Sequence, residues 1–150
     1  MVHQPIAMET SKSYKILPEL KIVLDVFSGV TRLGEMIEKF TAITSDPGYD
    51  PTFHYIGDLR ETYVDISPAE LKSYVEILSN TAIAFGEQRA AILVSNPRDT
   101  ALSYLLMNHT QRLPFNISVY SGIKDAMFFV QVDSVHQELI EATLRELKAL

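Results

Sequence analysis

The apolar positions along the chain change period several times, and each change marks an element. Two short β-rich runs, at residues 14–17 and 22–27, are separated by four residues beginning with Pro18. That connection is too short for a crossover, so the pair predicts an antiparallel hairpin. Ser28-Gly29-Val30-Thr31 predicts a break in the second strand, after which Leu33, Met36, Ile37, Phe40 and Ile43 recur at helical spacing until Asp46-Pro47-Gly48. A third strand is predicted over 53–59. Ser67-Pro68-Ala69-Glu70 then joins a capping box to proline at the first helical position. Leu71, Tyr74, Val75, Leu78 and Ala82 carry that helix towards Phe85, with Gly86 as its stop. The nearly all-apolar run 90–94 is the pattern of a strand covered on both faces. Asn96-Pro97-Arg98-Asp99 repeats the cap signal ahead of Ala101, Leu102, Leu105 and Leu106. A fifth strand follows over 117–120, then the turn Ser121-Gly122, a short apolar helix over 125–130, and an amphipathic helix from Asp133 to Leu150.

A hairpin followed by alternating helices and strands predicts an α/β domain with a mixed sheet of about five strands, parallel except for the first. Residues 1–13 show no periodicity and are expected to be a flexible tail ahead of a single domain over 14–150. With Gly29-Val30-Thr31 read as entering the first helix and Asp58-Leu59-Arg60 as leaving the third strand, the order of elements from Tyr14 to Val130 resembles the STAS-like family. That family includes anti-sigma-factor antagonists, cytoplasmic domains of sulfate transporters and small stand-alone proteins. The resemblance implies strands in sequential order, helices largely on one side of the sheet, and a non-enzymatic regulatory or protein-binding role. In regulatory members a serine or threonine at the start of the helix after the third strand accepts a phosphoryl group. Ser67 is the nearest residue here, although the family's aspartate, paired hydroxyls and glycine are replaced by Asp65-Ile66-Ser67-Pro68-Ala69. The alternative for Ser67 is a helix cap paired with Glu70.

Composition narrows the chemistry. With 47% hydrophobic residues, 21% charged and a formal net charge of -6, the chain lacks the basic clusters that grip a phosphate backbone, so nucleic acid is not an expected partner. The absence of cysteine removes disulfides, thiolate metal sites and thiol nucleophiles, and a cytoplasmic location is expected. Residues 1–13 do not have the form of a secretory signal, and no run approaches the ~18 apolar residues of a membrane span. His3, His54, His109 and His136 show no metal-ligand spacing and read as bystanders, and no hydrolase or nucleotide fingerprint occurs. No cofactor, metal or catalytic residue is expected.

In parallel α/β sheets ligands gather at the carboxyl ends of the strands. Asp58, Arg60, Asn96, Arg98 and Ser121 are therefore the candidates for binding a partner or a small anion, with the alternative that they serve only as caps and turns. Asp25, Asp58, Ser95 and Lys124 partly match the acid, aspartate, hydroxyl and lysine of phosphoacceptor receiver domains. The continuous apolar stretch Met127-Phe128-Phe129-Val130, with Val132, has three readings: core, contact with a protein partner or a second copy of the chain, or a slot for a lipid-like ligand. Two functions follow: a protein-interaction domain, or a carrier or sensor of a small apolar or anionic ligand.

Overall fold

The computed structural model describes residues 13–81 and 87–150. The tail expected over 1–13 lies outside this range except for Ser13, as do Ala82 and the helix stop at Phe85 and Gly86. The elements are β1 (Tyr14–Leu17), a 3₁₀ turn (Pro18–Leu20), β2 (Ile22–Thr31), α1 (Leu33–Ser45), β3 (His54–Val64), α2 (Pro68–Thr81), β4 (Arg89–Leu93), α3 (Pro97–His109), β5 (Asn116–Tyr120), α4 (Ile123–Phe129), a second 3₁₀ turn (Ser134–His136) and α5 (Gln137–Lys148). The strands form one sheet in the order β1-β2-β3-β4-β5. β1 runs antiparallel to β2, and the remaining pairs are parallel.

Two strands are longer than their sequence pattern suggests. Ser28-Gly29-Val30-Thr31 does not break β2. The strand slips register between Val26 and Ser28 and then continues beside Glu61–Val64 of β3. Gly29 takes φ +68 at this irregularity, a value glycine adopts without a Cβ penalty. The Thr31 and Thr62 hydroxyls meet at 2.6 Å, and Thr62 also donates to the Gly29 carbonyl at 3.1 Å. Arg60 consequently sits within β3 rather than in the loop after it, and α1 is entered through Arg32, whose N–H donates to the Glu35 side chain at 2.9 Å.

The capping signals hold. Ser67 Oγ accepts from Glu70 N at 3.1 Å while the Glu70 carboxylate accepts from Ser67 N at 3.0 Å. Asn96 Oδ1 accepts from Asp99 N at 2.8 Å. Asp133 Oδ1 accepts from Val135 N at 2.9 Å, capping the short 3₁₀ turn that leads into α5. His54 is more than a bystander: its Nδ1 accepts from Arg89 N at 3.0 Å, which leaves the proton on Nε2, 3.3 Å from Gln131 Oε1.

Helices cover both faces of the sheet, not largely one. Alternation along β2 sends Ile22, Leu24 and Val26 towards α4 and α5, where they join Ile56, Leu93, Met127, Ile140 and Leu144 in a closely packed cluster. The opposite face, under α1, α2 and α3, holds a second apolar layer including Val64, Leu71, Val75 and Leu106. Met127, Val130 and Val132 are thus core, whereas Phe128 points outward at 85% exposure. No helix among the described residues is long and apolar enough to cross a membrane.

Candidate functional site

The two faces of the sheet are packed differently. α4 and α5 approach β2, β4 and β5 closely, whereas α1 and α2 touch the strands sparsely and lean more on each other and on α3. The space left under α1, α2 and α3 is a cavity of about 140 Å³. Protein interiors are ordinarily packed as densely as organic crystals, so a space of this size between sheet and helices stands out, and it is partly open to the outside. Its floor includes Phe27, Tyr55, Ala90, Ile92 and Ile117 from the strands, and its roof Met36, Phe40, Tyr74, Leu102 and Leu106 from the helices.

One edge of this apolar space is polar. Asp25 lies in the middle of β2, an otherwise apolar strand, and is 1% exposed. Lys39, on α1, is 2% exposed and forms an ion pair with Asp25 Oδ1. The Lys39 ammonium also donates to the Val26 carbonyl and stands 4.0 Å from the centre of the Phe27 ring, a cation–π contact. Tyr55 donates its hydroxyl to Asp25 Oδ2 at 2.6 Å. Gly57 is level with Asp25 in the β2–β3 register. A Cβ at Gly57 would come within 2.7 Å of the Tyr55 ring, so the glycine makes the space in which that ring crosses to Asp25.

Burial pushes the Asp25 carboxyl up from its ordinary range, with Lys39 and the Tyr55 hydroxyl opposing the rise. Burial likewise lowers Lys39, against the pull of Asp25. The phenols of Tyr55 and Tyr74 are both held above their usual values, by burial first and then by the nearby Asp25 charge. Three titratable groups on the cavity wall therefore sense one another. Asp99, 3% exposed, and Ser103 line the wall from α3, and Asp99 Oδ2 accepts from the Asn96 amide at 2.9 Å.

The strand-end candidates lie elsewhere. Asp58 points to the other face, where it is fully buried, receives two hydrogen bonds from the Arg60 guanidinium at 2.9 and 2.8 Å, and pairs with Lys148 of α5 at 3.1 Å. Burial alone would raise the Asp58 carboxyl, but the Arg60 hydrogen bonds and charge, with Lys148, outweigh it and hold the carboxyl below its usual value. Arg98 donates to the Val64 carbonyl and covers the Tyr63 ring at 4.7 Å. Asn96 caps α3, Ser67 caps α2, and Ser121 is exposed after β5. Asp25 and Asp58 occupy opposite faces of the sheet, so the receiver-like set of Asp25, Asp58, Ser95 and Lys124 does not assemble. None of the strand-end candidates lines the cavity.

The Asp25–Lys39–Tyr55 cluster escapes sequence reading because its members come from three elements. One signal was available: an aspartate inside an all-apolar strand requires a partner, and Lys39 falls on the same helical face as Met36 and Ile43.

No family model matches the chain, and no curated protein matches it. Among solved structures the chain is similar to an uncharacterised protein of the DUF3478 family with a SpoIIAA-like fold from Shewanella loihica PV-4. The two share 12% identity at a TM-score of 0.49, over 73% of this chain and 83% of that one. Its own strand order and alternation of helices with strands are those of the mixed α/β sheet, with strands in sequential order, expected from its sequence.

Proposed function

We propose that this is a non-enzymatic binding protein that takes a small apolar molecule into the cavity between the sheet and α1, α2 and α3. The observation that carries this reading is the cavity itself, about 140 Å³ bounded mainly by aliphatic and aromatic side chains. An apolar cavity of about 150 Å³ stays dry and accommodates benzene, so the size suits a compact molecule and not a long acyl chain. The site is distinct from Met127, Phe129, Val130 and Val132, which pack on the other face. The test is titration with benzene while following methyl resonances. Saturable shifts confined to methyl groups that line the space, among them those of Ile43, Ile92, Leu102, Leu106 and Ile117, are expected, and Ser103→Leu, which fills the space, should abolish them. Absence of saturable shifts in the unaltered protein would sink the reading.

A second reading, an interaction domain for a protein partner or a second copy of the chain, is favoured by Phe128, Val135 and Leu139. These side chains are exposed on α4, the 3₁₀ turn and α5. Sedimentation equilibrium checks the self-association form of it: a dimer that Phe128→Ser returns to monomer would support it, and a monomer throughout would leave a different protein as the partner to seek.

A further inference from the structure

The wall of the cavity carries more information than its volume. Six aromatic rings face it, those of Phe27, Phe40, Tyr49, Tyr55, Tyr74 and Phe115. Aromatic pairs in offset or edge-to-face arrangement gain stabilisation beyond area burial, so such a wall favours a ring over an aliphatic chain of equal volume.

Charge restricts the guest further. The charged residues that line the space are Asp25 and Asp99, with no lysine or arginine among the lining residues. An anionic guest would face two carboxylates in a poorly solvated space whose neighbouring cations, Lys39 and Arg98, are already engaged with those carboxylates. A cationic guest would have to compete with Lys39 for Asp25, or with the Asn96 amide for Asp99. The guest that disturbs neither arrangement is neutral.

Hydrogen bonding adds a third restriction. The Tyr55 hydroxyl is spent on Asp25, whereas the hydroxyls of Tyr74 on α2 and Ser103 on α3 make no hydrogen bond among the described residues. Both residues line the cavity, and Ser103 is 9% exposed. Neither hydroxyl is sealed away from solvent, and a guest bearing one group that both donates and accepts would give them a partner.

Resting on the reading of the cavity as a ligand site, we infer that its guest is a neutral molecule of one aromatic ring bearing a hydroxyl group, a phenol. Its ring lies among the aromatic side chains, and its hydroxyl is read by Tyr74 and Ser103.

The test compares three probes of similar size, phenol, toluene and benzoate, by calorimetric titration of the full chain and of Tyr74→Phe and Ser103→Ala. Phenol should bind about tenfold more tightly than toluene to the unaltered protein. Benzoate should not compete, and the preference for phenol should fall towards parity in at least one variant. Equal binding of phenol and toluene would overturn the hydroxyl assignment and leave the cavity reading standing. Preferential binding of benzoate would overturn the neutral guest. A preference for phenol that survives in both variants would remove Tyr74 and Ser103 as its readers. Failure of phenol and toluene alike would overturn the cavity reading and this inference with it.

Discussion

Asp25 and Lys39 are each almost completely buried, so neither can be understood alone. Desolvating two charges costs several kcal/mol, and their mutual attraction offsets this only while both are present. Lys39→Met should therefore cost about 3–5 kcal/mol, because it leaves the carboxylate of Asp25 buried beside the Tyr55 hydroxyl with no cation. The double variant Asp25→Leu with Lys39→Met should recover most of that loss. Urea denaturation of the two single variants and the double one measures this, and a double variant as unstable as Lys39→Met would show that the cost comes from packing instead. Gly57 offers a second probe of the same cluster. In Gly57→Ala the new methyl meets the Tyr55 ring, and the ring must move away from Asp25. A loss of about 1–3 kcal/mol is expected, as for other overpacked sites. Pairing the substitution with Tyr55→Phe should make the two losses less than additive, since both break the same hydrogen bond.

At the level of elements, the end of α5 is held to the sheet by Lys148, which reaches Asp58 at 3.1 Å and Glu61 at 2.7 Å. The folded chain holds the Asp58 carboxyl below the usual value that it has when unfolded. Its contribution to stability is thus complete above pH ~5 and lost as pH falls through the folded value. Asp58→Asn should cost about 2 kcal/mol at neutral pH, the scale of hydrogen bonds to a charged group, and should flatten the acid limb of the stability profile. Chemical denaturation from neutral pH down to ~3 reads both effects, and a variant with an unchanged acid limb would move the cause to other carboxylates. How Asp58 reaches α5 also shows what the sequence could and could not convey. Helix starts were legible because Ser67 with Glu70 and Asn96 with Asp99 are local devices that bond within four residues. The lengths of β2 and β3 were not, because Ser28 to Thr31 have turn-like composition and are drawn into the sheet by pairing with Glu61–Val64. Placing helices on both faces depended on the same kind of long-range fact, namely which face of β2 the terminal helix covers.

For the molecule as a whole, the sheet separates two layers of unequal firmness. On one side α4 and α5 lock into a continuous cluster that includes Ile22, Leu24, Met127, Ile140 and Leu144, all nearly or fully buried. On the other, α1 and α2 roof a cavity, so their inner side chains forgo dispersion contacts that a filled interior would supply. Local opening follows the distribution of such contacts, and ligand-binding regions are drawn from the less stable end. Amide hydrogen exchange should accordingly show α1 and α2 opening at lower free energy than β2, β3 and α5. A guest that fills the cavity binds the closed arrangement in preference to the open one, and stabilises it by RT ln(1 + [L]/Kd). At about one hundred times its dissociation constant, that amounts to roughly 2.7 kcal/mol. Saturating phenol should thus slow exchange across α1 and α2 while leaving sub-global openings of α5 unchanged. Uniform protection of both layers would mean that they open together, and the division of the molecule into a firm layer and a yielding one would have to be abandoned.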